Sequence, residues 1–230
     1  MRKLVLFDID GTMLNSGGAG RVAMERALCA TFGTPGDRRY RYDGKTDKQI
    51  VRELMRLAGY PDAEIDARLP DVMQHYLSGL RDELTGGTRP VQLYDGVAPL
   101  VDAIHARPDV VLGLLTGNIE AGAYLKLAAV GLDVSRFVVN AFGSDHEVRA
   151  QLPGIAHQRM LNVFGVALAG HDVIVIGDTP SDITCGQALG VRAIAVATGR
   201  YSAHELHAHK PFAVFDSLVE TDAVLQAIDA

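Results

Sequence analysis

Two aspartates, Asp8 and Asp10, follow directly on the apolar run Leu4 to Phe7. On extended backbone, residues two apart project to the same side, so both carboxylates would share one site. A third carboxylate, Asp178, follows Val173 to Ile176 in Gly177-Asp178-Thr179-Pro180-Ser181-Asp182, and Thr116-Gly117-Asn118 follows Val110 to Leu115. Acids crowded into one crevice repel, so either one takes up a proton or a cation lies among them. All-oxygen ligands with room for water favour magnesium over zinc. The Thr116 hydroxyl and the amides around Gly117 and Asn118 would offer neutral donors to an anion. Each motif also has a plainer reading: Asp8 and Asp10 as turn formers, Asp182 as an acid complementing a helix that begins at Pro180, and Asn118 as an N-cap. Turn-making alone gives no reason to place such groups after three separate apolar runs.

Those runs have to be strands for the groups to meet. Leu4 to Phe7, Val110 to Leu115, Phe137 to Val139, Val173 to Ile176, Ala193 to Val196 and Phe212 to Phe215 are short and rich in Val, Ile and Leu. Most are continuous, as in strands buried on both faces of a parallel sheet. Between them, helical spacing covers Val97 to Ala106, Glu120 to Val130, Ile155 to Phe164, Ser181 to Leu189 and Leu218 to Ile228. This alternation predicts an α/β fold with a doubly wound, mainly parallel Rossmann-like sheet, whose ligands bind beyond the carboxyl ends of the strands. Residues 16–89 break the rhythm. They read as helices, Gly20 to Phe32, Asp47 to Ala58 and Ala63 to Leu84, with Pro70 expected to kink or split the last. The expected division is therefore an α/β core, 1–15 and 90–230, carrying an inserted helical lobe, 16–89.

The 230 residues are 48% hydrophobic, enough for one substantial core and a smaller lobe. The 22 basic and 28 acidic side chains give a net charge of -6, with the basic residues scattered. That pattern argues against a nucleic-acid partner and leaves a small anionic ligand to local groups or a bound cation. Cys29 and Cys185 form no paired spacing, which suits a reducing compartment. The apolar run after Arg2-Lys3 ends at Asp8, too short for a signal peptide, and no stretch reaches the roughly 18 apolar residues of a membrane span. A soluble, cytoplasmic protein without a membrane partner is expected; oligomeric state is not legible.

The order and spacing of Asp8-Ile9-Asp10-Gly11-Thr12, the strand-terminal Thr116 and Gly177-Asp178-Thr179-Pro180-Ser181-Asp182 resemble the haloacid dehalogenase superfamily of phosphotransferases. The resemblance spans the whole chain, and Thr116-Gly117-Asn118 is most similar to its phosphoglycolate phosphatase-like branch. It implies a Rossmann-like core with a helical cap inserted after the first motif, and hydrolysis of a small phosphorylated metabolite with Mg2+. In that family pattern Asp8 would be the nucleophile that forms an aspartyl-phosphate, and Asp10 the acid and then the base. Asp8, Asp178 and the carbonyl of Asp10 would hold the metal, with Asp182 supporting it from behind. Thr116, Gly117 and Asn118 would bind the phosphate. The superfamily also places a Lys or Arg shortly before its last motif, but no Lys lies between Lys126 and Gly177. Arg149, able to grip phosphate bidentately, and Lys126 are the two candidates.

Other signals lead elsewhere. Gly44-Lys45-Thr46 ends like a P-loop but lacks the earlier Gly and the preceding strand, while Gly18 to Ala23 imitates a dinucleotide fingerprint without its strand and suits a hinge. His204, His207 and His209 read as a surface loop. A phosphomutase, a phosphonate hydrolase using Lys45 or Lys48 as a Schiff base, and a silent binding protein remain as alternatives on this scaffold. Dehalogenation needs neither Asp10 nor Asp178.

Overall fold

The computed structural model describes residues 2–86 and 90–230. In chain order its elements begin with β1 (Lys3–Phe7), β2 (Leu14–Asn15), α1 (Ala19–Phe32), α2 (Asp47–Leu57), α3 (Asp62–Gly86) and β3 (Gln92–Leu93). They continue with α4 (Val97–His105), β4 (Val110–Thr116), α5 (Glu120–Ala129), β5 (Ala141–Phe142), α6 (Leu152–Phe164) and β6 (Val173–Gly177). The chain closes with α7 (Pro180–Thr184), β7 (Arg192–Val196), α8 (Ala203–His207), β8 (Ala213–Phe215) and α9 (Thr221–Asp229).

Six strands form one parallel sheet in the order β5-β4-β1-β6-β7-β8. β1 lies at its centre, and its alternating side chains divide between two layers. Val5 and Phe7 pack with Val97, Leu100, Ile104, Leu127 and Ile228 from α4, α5 and α9, whereas Leu4 and Leu6 pack with Leu152, Ala156 and Met160 of α6. Burial on both faces explains why β1 reads as a continuous apolar run. Phe7 is level with Leu114 of β4 on one side and Ile176 of β6 on the other. The residues that follow all three strands therefore emerge side by side, about 4.8 Å from strand to strand.

The inserted helical cap has a core of its own. Ala23, Met24 and Leu28 of α1, Ile50, Leu54 and Met55 of α2, and Val72, Tyr76 and Leu80 of α3 form one buried cluster. The chain leaves the sheet through β2 and returns through β3, and these two short strands pair antiparallel, Leu14 with Leu93 and Asn15 with Gln92. The boundary expected at Arg89 lies outside the described residues.

Three expectations are corrected. Phe137 to Val139 is not a strand: a 3-10 turn occupies Val134–Arg136, and the amides of Val138 and Val139 both donate to the Leu112 carbonyl. Two donors on one acceptor take the segment out of ladder register, and regular pairing with β4 begins only at Ala141. Ser181 to Leu189 is not one helix, because α7 ends at Thr184 and a separate 3-10 turn follows at Gln187–Leu189. Pro70 neither splits nor ends α3, which runs unbroken from Asp62 to Gly86 because Ile65, Val72, Tyr76 and Leu80 are all buried along one side.

Proline in a helix interior removes one backbone hydrogen bond and crowds the preceding turn. Pro70 is exposed, so its replacement leaves the packed side untouched. Pro70→Ala is therefore expected to stabilise the protein by about 1–2 kcal/mol, the helix gain being partly offset by a freer unfolded chain. Urea unfolding followed by circular dichroism measures this; an unchanged or lower midpoint would contradict it.

Candidate active site

Beyond the ends of β1 and β6, Asp8, Asp178 and Asp182 each offer a carboxylate oxygen, all within 4.8 Å of one another. All three residues are buried. Asp178 Oδ1 accepts a hydrogen bond from the Thr12 hydroxyl at 2.9 Å. Its Oδ2 lies where a Cβ on Gly11 or Gly199 would come within 2.4 Å or 1.8 Å, so only glycine lets those two backbones close around this carboxylate.

Arg149, at the start of a 3-10 turn before α6, enters the cluster from the side. Its Nη2 lies 3.1 Å from Asp8 Oδ1, donates to the Leu115 carbonyl at 3.3 Å and is also paired with Asp182. Burial pushes the Asp8 carboxyl up to about 6, with Arg149 opposing and Asp182 and Asp10 adding to the rise. Asp178 is raised well above the usual range, first by burial and then by Asp182 and Asp8. Burial works against the charge on Arg149, but Asp182 and Asp8 outweigh it and push the guanidinium further up.

Three carboxylates against one guanidinium leave two formal negative charges unbalanced, and the buried Nε of Arg149 has no partner among the described residues. An all-oxygen site of that charge fits a hard divalent cation, and the orphaned donor fits an anion beside it. Asp182 has little capacity left for the cation. Its Oδ2 takes the Thr179 amide and hydroxyl in the capping box of α7, and its Oδ1 takes Arg149. The plain helix-start reading of Asp182 is thus realised, together with an anchor for Arg149.

Asp10 occupies a second compartment. Its Oδ2 accepts from Lys126 Nζ at 2.6 Å and from Asn118 Nδ2 at 2.8 Å, and its Oδ1 from the Ser16 hydroxyl at 3.3 Å. Burial favours the protonated form, but Lys126, with the hydrogen bonds from Asn118 and Ser16, outweighs it and holds the carboxyl below its usual range. Thr116 Oγ1 accepts from the Asn118 amide at 3.3 Å and from Asn118 Nδ2 at 2.7 Å, which leaves its own proton to donate. The Asn118 side chain has no hydrogen to spare: both are placed, and Oδ1 accepts Lys126 at 2.6 Å. Lys126 therefore touches Asp10 and Asn118, while Arg149 touches Asp8.

The cap closes this face. The Asp47 amide donates to the Gly117 carbonyl and its carboxylate accepts the Ile119 amide, both at 2.8 Å. Thr46 Oγ1 donates to the Glu147 carbonyl at 2.6 Å, and Arg52 pairs with the Glu147 carboxylate. What remains is a cleft of about 640 Å³, lined by Asp8, Asp10, Thr116, Lys126, Arg149 and Asp178 from the core and by Arg21, Arg38, Arg41 and Lys45 from the cap. Lys45 Nζ is taken up by Glu53 at 2.5 Å and by the Tyr40 hydroxyl at 2.6 Å; Lys48 donates to the Ser144 carbonyl.

Sequence reasoning missed Thr12, Ser16, Asp47, Gly199 and the cap arginines. The strand-end rule offered a signal for one group: Thr198-Gly199-Arg200 follows β7, with Thr198 Oγ1 donating to the Gly11 carbonyl at 2.6 Å. The cap residues carry no such signal.

Residues 153–221 match the HAD-hydrolase-like family model. The phosphoglycolate phosphatase of Rhodospirillum rubrum is 26% identical over 230 residues, spanning 94% of this chain and 88% of its own. Among solved structures, CbbY from Rhodobacter sphaeroides in complex with phosphate is similar at a TM-score of 0.75, with 20% identity over 100% of both chains. β-Phosphoglucomutase from Clostridium difficile is similar at 0.74, with 15% identity over 100% of this chain and 98% of that one. These likenesses to solved structures establish the fold.

Removing one partner of a buried ion pair strands the other charges, typically at about 3–5 kcal/mol. Arg149→Met is expected to lower the unfolding free energy of the metal-free protein by about 3 kcal/mol at pH 8, above the value of about 6 to which burial pushes the Asp8 carboxyl. Urea titration measures it, and a loss below about 1 kcal/mol would mean that Arg149 does not hold the carboxylates together.

Proposed function

We propose that this chain, which belongs to the haloacid dehalogenase-like hydrolases, is a phosphatase that hydrolyses small phosphate monoesters through a phosphoryl group carried on Asp8. The observation that carries the reading is the sorting of two aspartates two residues apart into different surroundings: Asp8 beside Arg149 and Asp178, Asp10 beside Lys126 and Asn118. Two carboxyl groups in unlike environments suit two unlike roles.

In this reading an Asp8 carboxylate oxygen attacks phosphorus, and the bond from phosphorus to the ester oxygen breaks. Asp10 gives its proton to the departing alkoxide. Asp10 then takes a proton from water, whose oxygen attacks phosphorus, the bond to Asp8 breaks and inorganic phosphate leaves. A phosphate dianion entering beside Asp10 opposes Lys126 and favours the protonated acid that the first step requires. The Thr116 hydroxyl, the Gly117 and Asn118 amides and the guanidinium of Arg149 bind the phosphoryl oxygens. Arg149 is preferred to Lys126 for this role because it reaches Asp8.

Mg2+ would be held by the carboxylates of Asp8 and Asp178 and the carbonyl of Asp10, with Asp182 fixing Arg149 at its rim. When bound it supplies positive charge to the transferring phosphoryl group. The name of the R. rubrum relative directs the substrate choice to phosphoglycolate, with residues 16–89 as the cap over it. Two unpaired cysteines suit a cytoplasmic setting, and no helix among the described residues is long and apolar enough to cross a membrane. Phosphonate cleavage through a Schiff base is disfavoured, since Lys45 is committed to Glu53 and Lys48 to Ser144.

A screen of phosphate esters with and without Mg2+ tests the proposal. Turnover is expected to require the metal, to cease with EDTA and to fall by at least about a thousandfold in Asp8→Asn with the circular dichroism spectrum unchanged. Undiminished turnover in Asp8→Asn would remove Asp8 from the nucleophile role, and transfer of phosphate to a sugar phosphate in place of water would make the protein a mutase.

A further inference from the structure

Lys126 is 3% exposed, on a helix of the core, in a place where an unpaired ammonium would be costly. It is satisfied by two contacts of 2.6 Å, to Asp10 Oδ2 and Asn118 Oδ1, while Asn118 Nδ2 reaches the same Asp10 oxygen and Thr116 Oγ1. The ring is sealed from above by the cap: a Cβ built on Gly20 of α1 would lie 3.3 Å from Lys126 Nζ and 3.6 Å from the Tyr76 hydroxyl of α3. The two oxygens of Asp10 are consequently unequal. Oδ2 takes two strong donors, and Oδ1 takes only the Ser16 hydroxyl at 3.3 Å.

We infer that Lys126 is a positioning residue for Asp10: with Asn118 it pins Oδ2, so that Oδ1 alone carries the proton to the leaving-group oxygen. The inference rests on the phosphatase reading and assigns Lys126 to the departing alcohol, not to the phosphate. A protonated Asp10 fits the arrangement, because its carbonyl oxygen can keep accepting from Lys126 and Asn118 while the hydroxyl at Oδ1 donates outward. In the transfer, the Oδ1–H bond breaks as the ester oxygen gains that proton, and the carboxylate left behind faces the Lys126 ammonium. The two buried cations thus divide the reaction, Arg149 serving the nucleophile and Lys126 the acid.

Help from an acid matters for an alkoxide and little for p-nitrophenolate, which departs without a proton. The test is the ratio of kcat/KM for the best alkyl phosphate of the ester screen to kcat/KM for p-nitrophenyl phosphate, measured with Mg2+ in the parent and in Lys126→Met. Because the ratio is taken within each protein, partial unfolding cancels. It is expected to fall about tenfold or more in Lys126→Met and to recover in part in Lys126→Arg, which returns a donor to Asp10. Should Lys126→Met not fold, Lys126→Gln carries the same comparison. A parent that turns over both esters, with a variant whose ratio equals the parent's, overturns this inference alone, even if both rates drop together. A parent that turns over neither ester overturns the phosphatase reading and this inference with it.

Discussion

Like charges driven together at the ends of neighbouring strands are the constraint around which this molecule is arranged. β1 sits between β4 and β6, so Asp8 and Asp178 emerge beside each other, with Asp182 close behind. Parallel pairing leaves them no freedom to separate, because the register that buries Leu4, Leu6, Val173 and Val175 also aligns the residues beyond. Burial then raises the cost of each charge, as the elevated Asp8 and Asp178 carboxyls record. Arg149 offsets part of it. The negative charge that remains suits the cluster to a divalent ion.

The second compartment answers the same problem differently. Asp10, only two residues from Asp8, is carried into the territory of Lys126, Asn118 and Thr116, where hydrogen bonds link all four side chains. A linked network of this kind fixes orientations that single contacts would leave loose. Its members come from β4, the turn after it and α5, and its roof from α1 and α3, so its geometry depends on the cap being in place over the core.

Much of this was legible in the sequence because it follows from periodicity. Continuous apolar runs marked the central strands, and the strand-end rule located Asp8, Asp10, Thr116 and Asp178, which the fold gathers at one edge. The rest depends on distance in space. Nothing in the order of residues tells that Lys126 turns toward Asp10 and Arg149 toward Asp8, since both choices lie within reach of a long side chain. Asn118 reads as a ligand donor through its backbone amide, and nothing in the sequence tells that its side-chain hydrogens go to Asp10 and Thr116. Phe137 to Val139 has the composition of a strand, yet two amides converging on Leu112 deny it the ladder. Pro70 shows local propensity yielding to a buried stripe on the same helix.

The antiparallel pairing of Leu14–Asn15 with Gln92–Leu93 has an architectural corollary. An insert whose two ends enter and leave about 5 Å apart imposes almost no strain on the fold that receives it, whatever its length or internal structure. The central sheet and its acids can therefore stay constant while the helical unit is lengthened, shortened or replaced by another. Diversity of ligand recognition can then accumulate on one side of the junction, and the reaction chemistry be preserved on the other.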